Sequence, residues 1–179
     1  MGKTYDMTIA GLERHLPICP VNEHLDIAAF VIFGDVELTV AAATELLKRC
    51  PEFDYIVTPE AKGIPLGYEM AKQAGKPYYV VRKGVKLYMT EAFGVEVRSI
   101  TTAHVQHLYM DKTEADAISG KRVLIVDDVI STGESLSAVE NLINKAGANI
   151  VGRAAILAEG DAADREDIIY LEPLPLFFK

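Results

Sequence analysis

The chain contains no tryptophan and only two cysteines, Cys19 and Cys50, neither in a Cys-x-x-Cys nor a Cys-x-x-His spacing. That scarcity excludes a disulfide-stapled scaffold and a thiolate zinc site, leaving two ordinary reduced thiols. No apolar run approaches the roughly 18 residues of a membrane span. Residues 1–10 carry a single Lys and no apolar core, so neither a membrane partner nor a signal peptide is expected, and the expected location is cytoplasmic. Positive charge is also short: 18 Lys and Arg against 26 Asp and Glu give a formal net charge of −8 at pH 7. A general nucleic-acid surface needs a basic stripe, and none is available. A small polyanion is not excluded, because backbone amides and a few cations can be focused on it locally.

Half of the 179 residues are apolar and a quarter are charged, the balance of a folded domain rather than a disordered chain. The length favours one domain over residues 1–179, large enough to bury a core without staples. There is no internal repeat, low-complexity tract or linker. Short β-branched or aromatic runs at 54–58, 77–82, 122–127 and 150–157 read as strands. Between them lie helical spacings. Val36, Val40, Ala43 and Leu47 form one stripe, ending near Cys50 before Pro51, which cannot continue a helix. Ile64, Gly67, Ala71 and Ala74 form a second, with Gly75 as its C-cap. Leu136, Val139, Ile143 and Ala146 form a third, with Gly147 just past its end. Strands and helices that alternate in this way predict an α/β, doubly wound, mainly parallel sheet with helices on both faces. Ligands in such sheets bind beyond the carboxyl ends of the strands.

Two regions break the alternation. Residues 1–30 are irregular, with Pro17, Cys19 and Pro20 close together, and are expected to form a small N-terminal hood or cap. Residues 83–110 show no clear helix; alternation at Val95, Val97 and Ser99 suggests an extended hairpin, the candidate mobile loop. The apolar tail, 171–178, carries Pro173 and Pro175 and is expected to pack on the body or on a second subunit.

The most informative segment is Val123-Leu-Ile-Val-Asp-Asp-Val-Ile-Ser-Thr-Gly-Glu-Ser135. A buried strand runs out into Asp127 and Asp128; a loop of small hydroxylated residues and Gly133 follows, and a helix starts near Ser135. Free amides at a helix N-terminus and the helix dipole favour an anion there. Gly133 allows close approach of the backbone, and Ser131, Thr132 and Ser135 supply hydroxyl donors. Two acids beside a phosphate site make sense if the ligand is a sugar phosphate, whose vicinal hydroxyls the carboxylates accept. The alternative is a solvated strand end with Ser135 as an ordinary N-cap. It is not a Walker loop, since no Gly-Lys-Ser or Gly-Lys-Thr follows, and the first strand has no Gly-x-Gly-x-x-Gly to support a general dinucleotide binder.

This segment resembles the signature of the type I phosphoribosyltransferases: an apolar strand, two acids, two apolar residues, then a small residue followed by Thr-Gly. The resemblance implies that Asp127 and Asp128 bind the ribose hydroxyls of phosphoribosyl pyrophosphate and serve the catalytic centre. It further implies that Ser131, Thr132, Gly133, Glu134 and Ser135 bind the 5-phosphate, and that Mg²⁺ accompanies the pyrophosphate. Glu134 departs from the Gly of the adenine enzymes and would have to point away. Pro59-Glu-Ala-Lys-Gly-Ile64 resembles the pyrophosphate loop of adenine phosphoribosyltransferases, which assigns Glu60, Ala61, Lys62 and Gly63 to the donor, with Lys62 a point charge in place of Arg. Arg82-Lys-Gly-Val-Lys86 resembles a cationic segment of the family, which adds Arg82, Lys83 and Lys86. Val31-Ile-Phe-Gly-Asp-Val36 resembles the adenine pocket, with Phe33 stacking on the base and Ile32 giving main-chain contacts, although Gly34 stands where the family has a basic residue.

The same resemblance implies transfer of the 5-phosphoribosyl group to a purine base, adenine favoured, by a homodimer. Ser131 stands where hypoxanthine-guanine enzymes carry an Asp, which argues against that subgroup. The loop Glu of adenine enzymes falls at or near Thr102, with Glu91, Glu96 and His104 as nearby substitutes. Lys86-Leu-Tyr-Met-Thr90 and Ser99-Ile-Thr-Thr102 resemble the xanthine enzymes instead, whose base-pocket Asn is replaced here by Ile32. A xanthine-type enzyme and a non-catalytic donor-binding regulator are the alternatives.

Overall fold

The computed structural model describes residues 2–98 and 105–179. The chain opens with antiparallel β1 (Thr4–Ile9), β2 (Leu12–Pro20) and β3 (Leu25–Ala28). It continues through α1 (Val36–Leu47), β4 (Tyr55–Pro59), α2 (Ile64–Ala74) and β5 (Tyr78–Val81). An antiparallel hairpin of β6 (Ala92–Arg98) and β7 (Val105–Asp111) leads into α3 (Lys112–Ile118). The C-terminal part contains β8 (Arg122–Ile130), α4 (Glu134–Lys145), β9 (Asn149–Glu159), a 3₁₀ turn (Gly160–Asp164), β10 (Ile169–Leu174) and β11 (Leu176–Phe178).

The main sheet is five-stranded and parallel, in the order β10-β9-β8-β4-β5. Alternate residues of its middle strand face opposite layers. Leu124 and Val126 pack with Leu38 and Leu46 of α1 and Leu66 and Met70 of α2. Val123 and Ile125 pack with Val139 and Leu142 of α4 and Ile118 of α3. Both faces are therefore covered, and the strand centres are apolar, as a buried parallel sheet requires. Crossover α2 leads from β4 outward to β5, while α4 leads from β8 in the other direction to β9. The loops after β4 and β8 thus part above neighbouring strands, and that crevice is where such sheets place their ligands.

The N-terminal hood is more regular than its sequence suggests. Strands β1, β2 and β3 are joined by β11 in a second sheet, so the apolar tail packs on the body of its own chain. Prolines 17 and 20 lie within β2 without interrupting it, and the Pro17 carbonyl accepts the amide of Ala29. The hood is tied to the body through Arg14, whose guanidinium grips both oxygens of Asp35 at 2.6 and 2.9 Å. Asp35 also caps α1 by accepting the Leu38 amide. Arg14 is the main reason its carboxyl sits below the usual range.

Three sequence expectations shift. The buried face of α1 is Leu38, Ala42, Ala43 and Leu46, whereas Val36 is 73% exposed and Val40 is 41% exposed. Helix α3 was not foreseen; Asp111 and Glu114 form a capping box at its start. Strand β8 continues through the two acids to Ile130 instead of ending at them. Within 83–110 the described residues form the β6–β7 hairpin, clamped to the end of β5 by paired backbone bonds between Arg82 and Tyr109. Among the described residues no helix is long and apolar enough to cross a membrane.

The shifted face of α1 gives a direct expectation. Leu38→Ala should destabilise the fold by about 2–5 kcal/mol, the range for truncating a buried Leu. Val36→Ser should change stability by no more than about 0.5 kcal/mol, and urea unfolding of the two variants measures both.

Candidate active site

A cavity of about 560 Å³ lies over the carboxyl ends of β4, β8 and β9. Its floor is Asp127 and Asp128, one side is Pro59 to Lys62 with Lys83, and another is the loop Ser131–Gly133 with Ser135. The hood closes it through Ile27 to Val31 and Leu174, and Gln106 and Leu108 of β7 form a further wall.

Both acids are held largely out of water. Asp128 is 4% exposed, and the Lys62 ammonium lies 3.0 Å from its Oδ2. That contact neutralises charge but is not aligned as a hydrogen bond, so Asp128 Oδ2 has no hydrogen-bond partner. The Asp128 amide donates to Asp127 Oδ1 at 2.8 Å. Burial, and secondarily the charge of Asp128, push the Asp127 carboxyl well above the ordinary carboxylate range. The fully buried Thr58 hydroxyl oxygen is likewise unpartnered. A Cβ on Gly63 would meet it at 2.4 Å and Asp127 Oδ1 at 2.9 Å. Gly63 is glycine because the loop after β4 presses against this floor. Buried polar atoms without partners are uncommon in folded proteins, and here one of them, Asp128 Oδ2, belongs to a residue that lines the cavity.

The anion loop forms as the sequence predicts, displaced by one residue. Helix α4 begins at Glu134, its N-cap is Gly133 at φ +82°, and no side chain caps it. The Glu134 amide donates to the Thr132 hydroxyl over a long 3.5 Å, while those of Ser135 and Leu136 have no intrahelical acceptor. A helix mouth of this kind suits an anion, beside the exposed Ser131, Thr132 and Ser135.

The cationic segment is organised by Glu60. Its Oε1 accepts the Lys83 amide at 2.6 Å, its Oε2 accepts Arg82 at 3.2 Å, and the Lys86 ammonium is 3.9 Å away. Burial raises the pKa of this carboxyl, but these donors and charges together outweigh it and leave the group below its usual value. Glu60 thus anchors the cations. Lys83 and Lys62 line the cavity, whereas Arg82 is also spent on the Tyr88 hydroxyl. The Glu60–Ala61 peptide bond is cis.

The phosphoribosyl transferase domain matches residues 36–173 of the chain. This chain belongs to that family. A hypoxanthine/guanine phosphoribosyltransferase of Methanococcus voltae is 38% identical over 124 residues, covering 69% of this chain and 63% of that protein. An adenine phosphoribosyltransferase of Thermotoga petrophila is 35% identical over 122 residues, covering 68% and 64% respectively. The matches thus span less than two thirds of either relative. In the solved structure of an adenine phosphoribosyltransferase from Thermoanaerobacter pseudethanolicus the fold is shared, with a TM-score of 0.66 at 22% identity over 96% of this chain and 95% of that one.

Within this phosphoribosyl transferase fold, most of the residues read from the sequence converge on the cavity: Asp127, Asp128, Ser131, Thr132, Gly133, Ser135, Glu60, Ala61, Lys62 and Lys83. Others do not. Glu134 is in the first turn of α4 but does not line the cavity. Gly63, Arg82 and Lys86 support the walls from behind. Ile32 and Phe33 border a separate shallow depression with Val36, Val40 and Tyr68, and it is Ala28 to Val31 that face the main cavity. The physical reason is a turn: the Asp35 amide bonds back to the Ile32 carbonyl, Gly34 takes φ +84°, and the buried Ile32 side chain enters the core. Of the four proton-handling candidates, Glu91 and Glu96 do not line the cavity. Thr102 and His104 lie outside the described residues, as does Ser99.

Two residues near the site carried no sequence signal. Glu159 lines the cavity at the end of β9. Arg165, held by Asp167 through Nε and Nη2, brings Nη1 to 2.7 Å from where a Cβ on Gly133 would stand.

The raised Asp127 pKa fixes a sign. The folded state binds this proton more tightly than the unfolded chain does. Ligand-free stability therefore falls as pH rises from the ordinary carboxylate range through the raised value. Asp127→Asn should stabilise the ligand-free protein by on the order of 1 kcal/mol or more at pH 8. Near pH 4 it should do little, which urea unfolding at the two pH values checks.

Proposed function

We propose that this protein transfers the 5-phosphoribosyl group of phosphoribosyl pyrophosphate to the nitrogen of a purine base, adenine favoured, releasing the nucleoside monophosphate and pyrophosphate in purine salvage. The observation that carries this reading is the juxtaposition of two acids, Asp128 buried and Asp127 half-buried, with an uncapped helix N-terminus in one crevice. Carboxylates suit the two vicinal ribose hydroxyls, and the amides with Ser131, Thr132 and Ser135 suit the 5-phosphate. Lys62 and Lys83, which line the same cavity, suit the departing pyrophosphate. The likeness to an adenine and to a hypoxanthine/guanine phosphoribosyltransferase supports a purine. It also means that Ser131 alone is a poor guide against the second subgroup.

In this mechanism the bond from the base nitrogen to the anomeric carbon forms as the bond from that carbon to the pyrophosphate oxygen breaks. The N–H proton of the base passes to the departing pyrophosphate, and the sugar passes through an oxocarbenium-like state. Asp127 and Asp128 hold the ribose in line between base and leaving group. The donor and the base meet beneath the hood, which with the β6–β7 hairpin keeps water from the sugar.

Among the described residues there is no cluster of three or more His, Cys, Asp or Glu side chains placed to hold a metal. Two carboxylates with an unpartnered oxygen fit a Mg²⁺ that takes most of its ligands from substrate oxygens and water. When bound it would supply charge neutralisation for the pyrophosphate, with Asp127 and Asp128 the residues beside it. A homodimer in the cytoplasm belongs to the same reading, and the apolar depression of Phe33, Val36, Val40 and Tyr68 is exposed surface available to a second copy.

The test incubates the protein with Mg²⁺, phosphoribosyl pyrophosphate and a panel of purine and pyrimidine bases, following nucleotide and pyrophosphate. Turnover with adenine is expected; turnover with xanthine alone would select the xanthine-type reading. Donor binding by calorimetry without turnover on any base would make the protein a sugar-phosphate sensor. Asp128→Ala should weaken donor binding by about 1–3 kcal/mol, the cost of losing a charged hydrogen-bond partner.

A further inference from the structure

The anion loop has no cation of its own. Residues 131–135 supply hydroxyls, a glycine and the acid Glu134, and the two lysines of the cavity lie on the loops after β4 and β5. A doubly charged phosphate at the mouth of α4 would meet amide dipoles there, but no full positive charge from its own loop. The chain supplies one from a different loop.

Arg165 follows the 3₁₀ turn at the carboxyl end of β9, the edge of the sheet from which the loops after β4 and β8 also leave. Its amide bonds to the carbonyl of the buried Ala162 at 3.2 Å, which fixes the backbone at this point. A chain of alternating charges sets the guanidinium. Glu140 of α4 pairs with Arg153 of β9, and Arg153 Nε lies 4.0 Å from Asp167. Asp167 in turn takes Nε and Nη2 of Arg165 at 2.8 and 2.7 Å. The remaining nitrogen, Nη1, makes no hydrogen bond among the described residues. This is the nitrogen that stands 2.7 Å from where a Cβ on Gly133 would be, and Gly133 is both the N-cap of α4 and part of the cavity lining. A larger residue at 133 would push the guanidinium aside. A cation at the positive end of a helix dipole is unfavourable unless an anion joins them, yet Asp167 holds one there.

Resting on the transfer reading above, we infer that Arg165 is a further ligand of the 5-phosphate, giving through Nη1 the charged donor that residues 131–135 lack. Arg165 stands beside the ligand-free cavity, not in its lining, and its side chain is one-third exposed. A phosphate resting on the Ser135 and Leu136 amides can therefore meet it without displacing a buried group. A guanidinium N–H donating to a phosphate oxygen makes a charge-assisted bond, stronger than one from a hydroxyl or an amide. Lys62 and Lys83 are left for the pyrophosphate, so the two ends of the donor are held by separate cations.

Calorimetry in the presence of Mg²⁺ measures the affinity for phosphoribosyl pyrophosphate, ribose 5-phosphate and pyrophosphate in the wild type, Arg165→Gln and Arg165→Met. Both variants should lose at least about tenfold in affinity for the two sugar phosphates, the scale of one charge-assisted hydrogen bond. Affinity for pyrophosphate should change by less than about twofold, as expected for a ligand bound at a separate end of the site. An equal loss for all three ligands is the pattern of a merely structural role and overturns the inference. If one variant does not fold, the other decides. A wild type that binds neither sugar phosphate overturns the transfer reading and this inference with it, whereas sugar-phosphate binding that both substitutions leave intact overturns this inference only.

Discussion

Two adjacent carboxylates held out of water at the end of the central strand set the terms for everything around them. Burying one ionised group is costly, and burying two neighbours more so, unless cations and donors compensate. The structure meets that demand in part. Lys62 stands against Asp128, the Asp128 amide bonds to Asp127, and the Asp127 carboxyl retains its proton far more readily than a solvated acid. What remains unmet, at Asp128 Oδ2, is hydrogen-bonding capacity at the floor of a cavity. A fold selected for stability alone has no use for it, since apolar side chains of the same volume would serve as well or better.

The neighbouring glycines follow from the same constraint. Gly63 lets the loop after β4 close to within contact of the acids, and Gly133 lets α4 begin without a side-chain cap. Glu60 extends the logic outward: this acid at the cavity wall is already committed to Arg82, the Lys83 amide and Lys86.

Sequence reasoning reads the middle of this chain well for physical reasons. Residues 123–135 combine a continuous apolar run, paired acids and a Thr-Gly turn, features that seldom coincide without a site. Gly75 ends α2 in the left-handed conformation, as its position suggested. The face of α1 was misjudged because Val36 to Leu47 is apolar almost all round, so several stripes fit one helix. The hood was underestimated because two prolines punctuate β2, while the strand that completes its sheet comes from the other end of the chain. Such pairing has no local signature. Helix α3 did leave one, in the Asp111-to-Glu114 capping box. Ile32 and Phe33, expected at the base, border a separate depression, since the turn at Gly34 decides which residues face the main cavity. Glu159 was invisible because nothing in a strand-end acid marks it until the hood is seen above it.

The grip of Arg14 on Asp35 makes the hood and the first helix one mechanical unit. The same carboxylate that receives the guanidinium also receives the Leu38 amide. A sideways shift of β2 must therefore drag the start of α1 with it, or leave a peptide N–H stranded at the helix mouth. The roof over the cavity is in this way geared to a shaft that runs along the opposite layer of the sheet from α4.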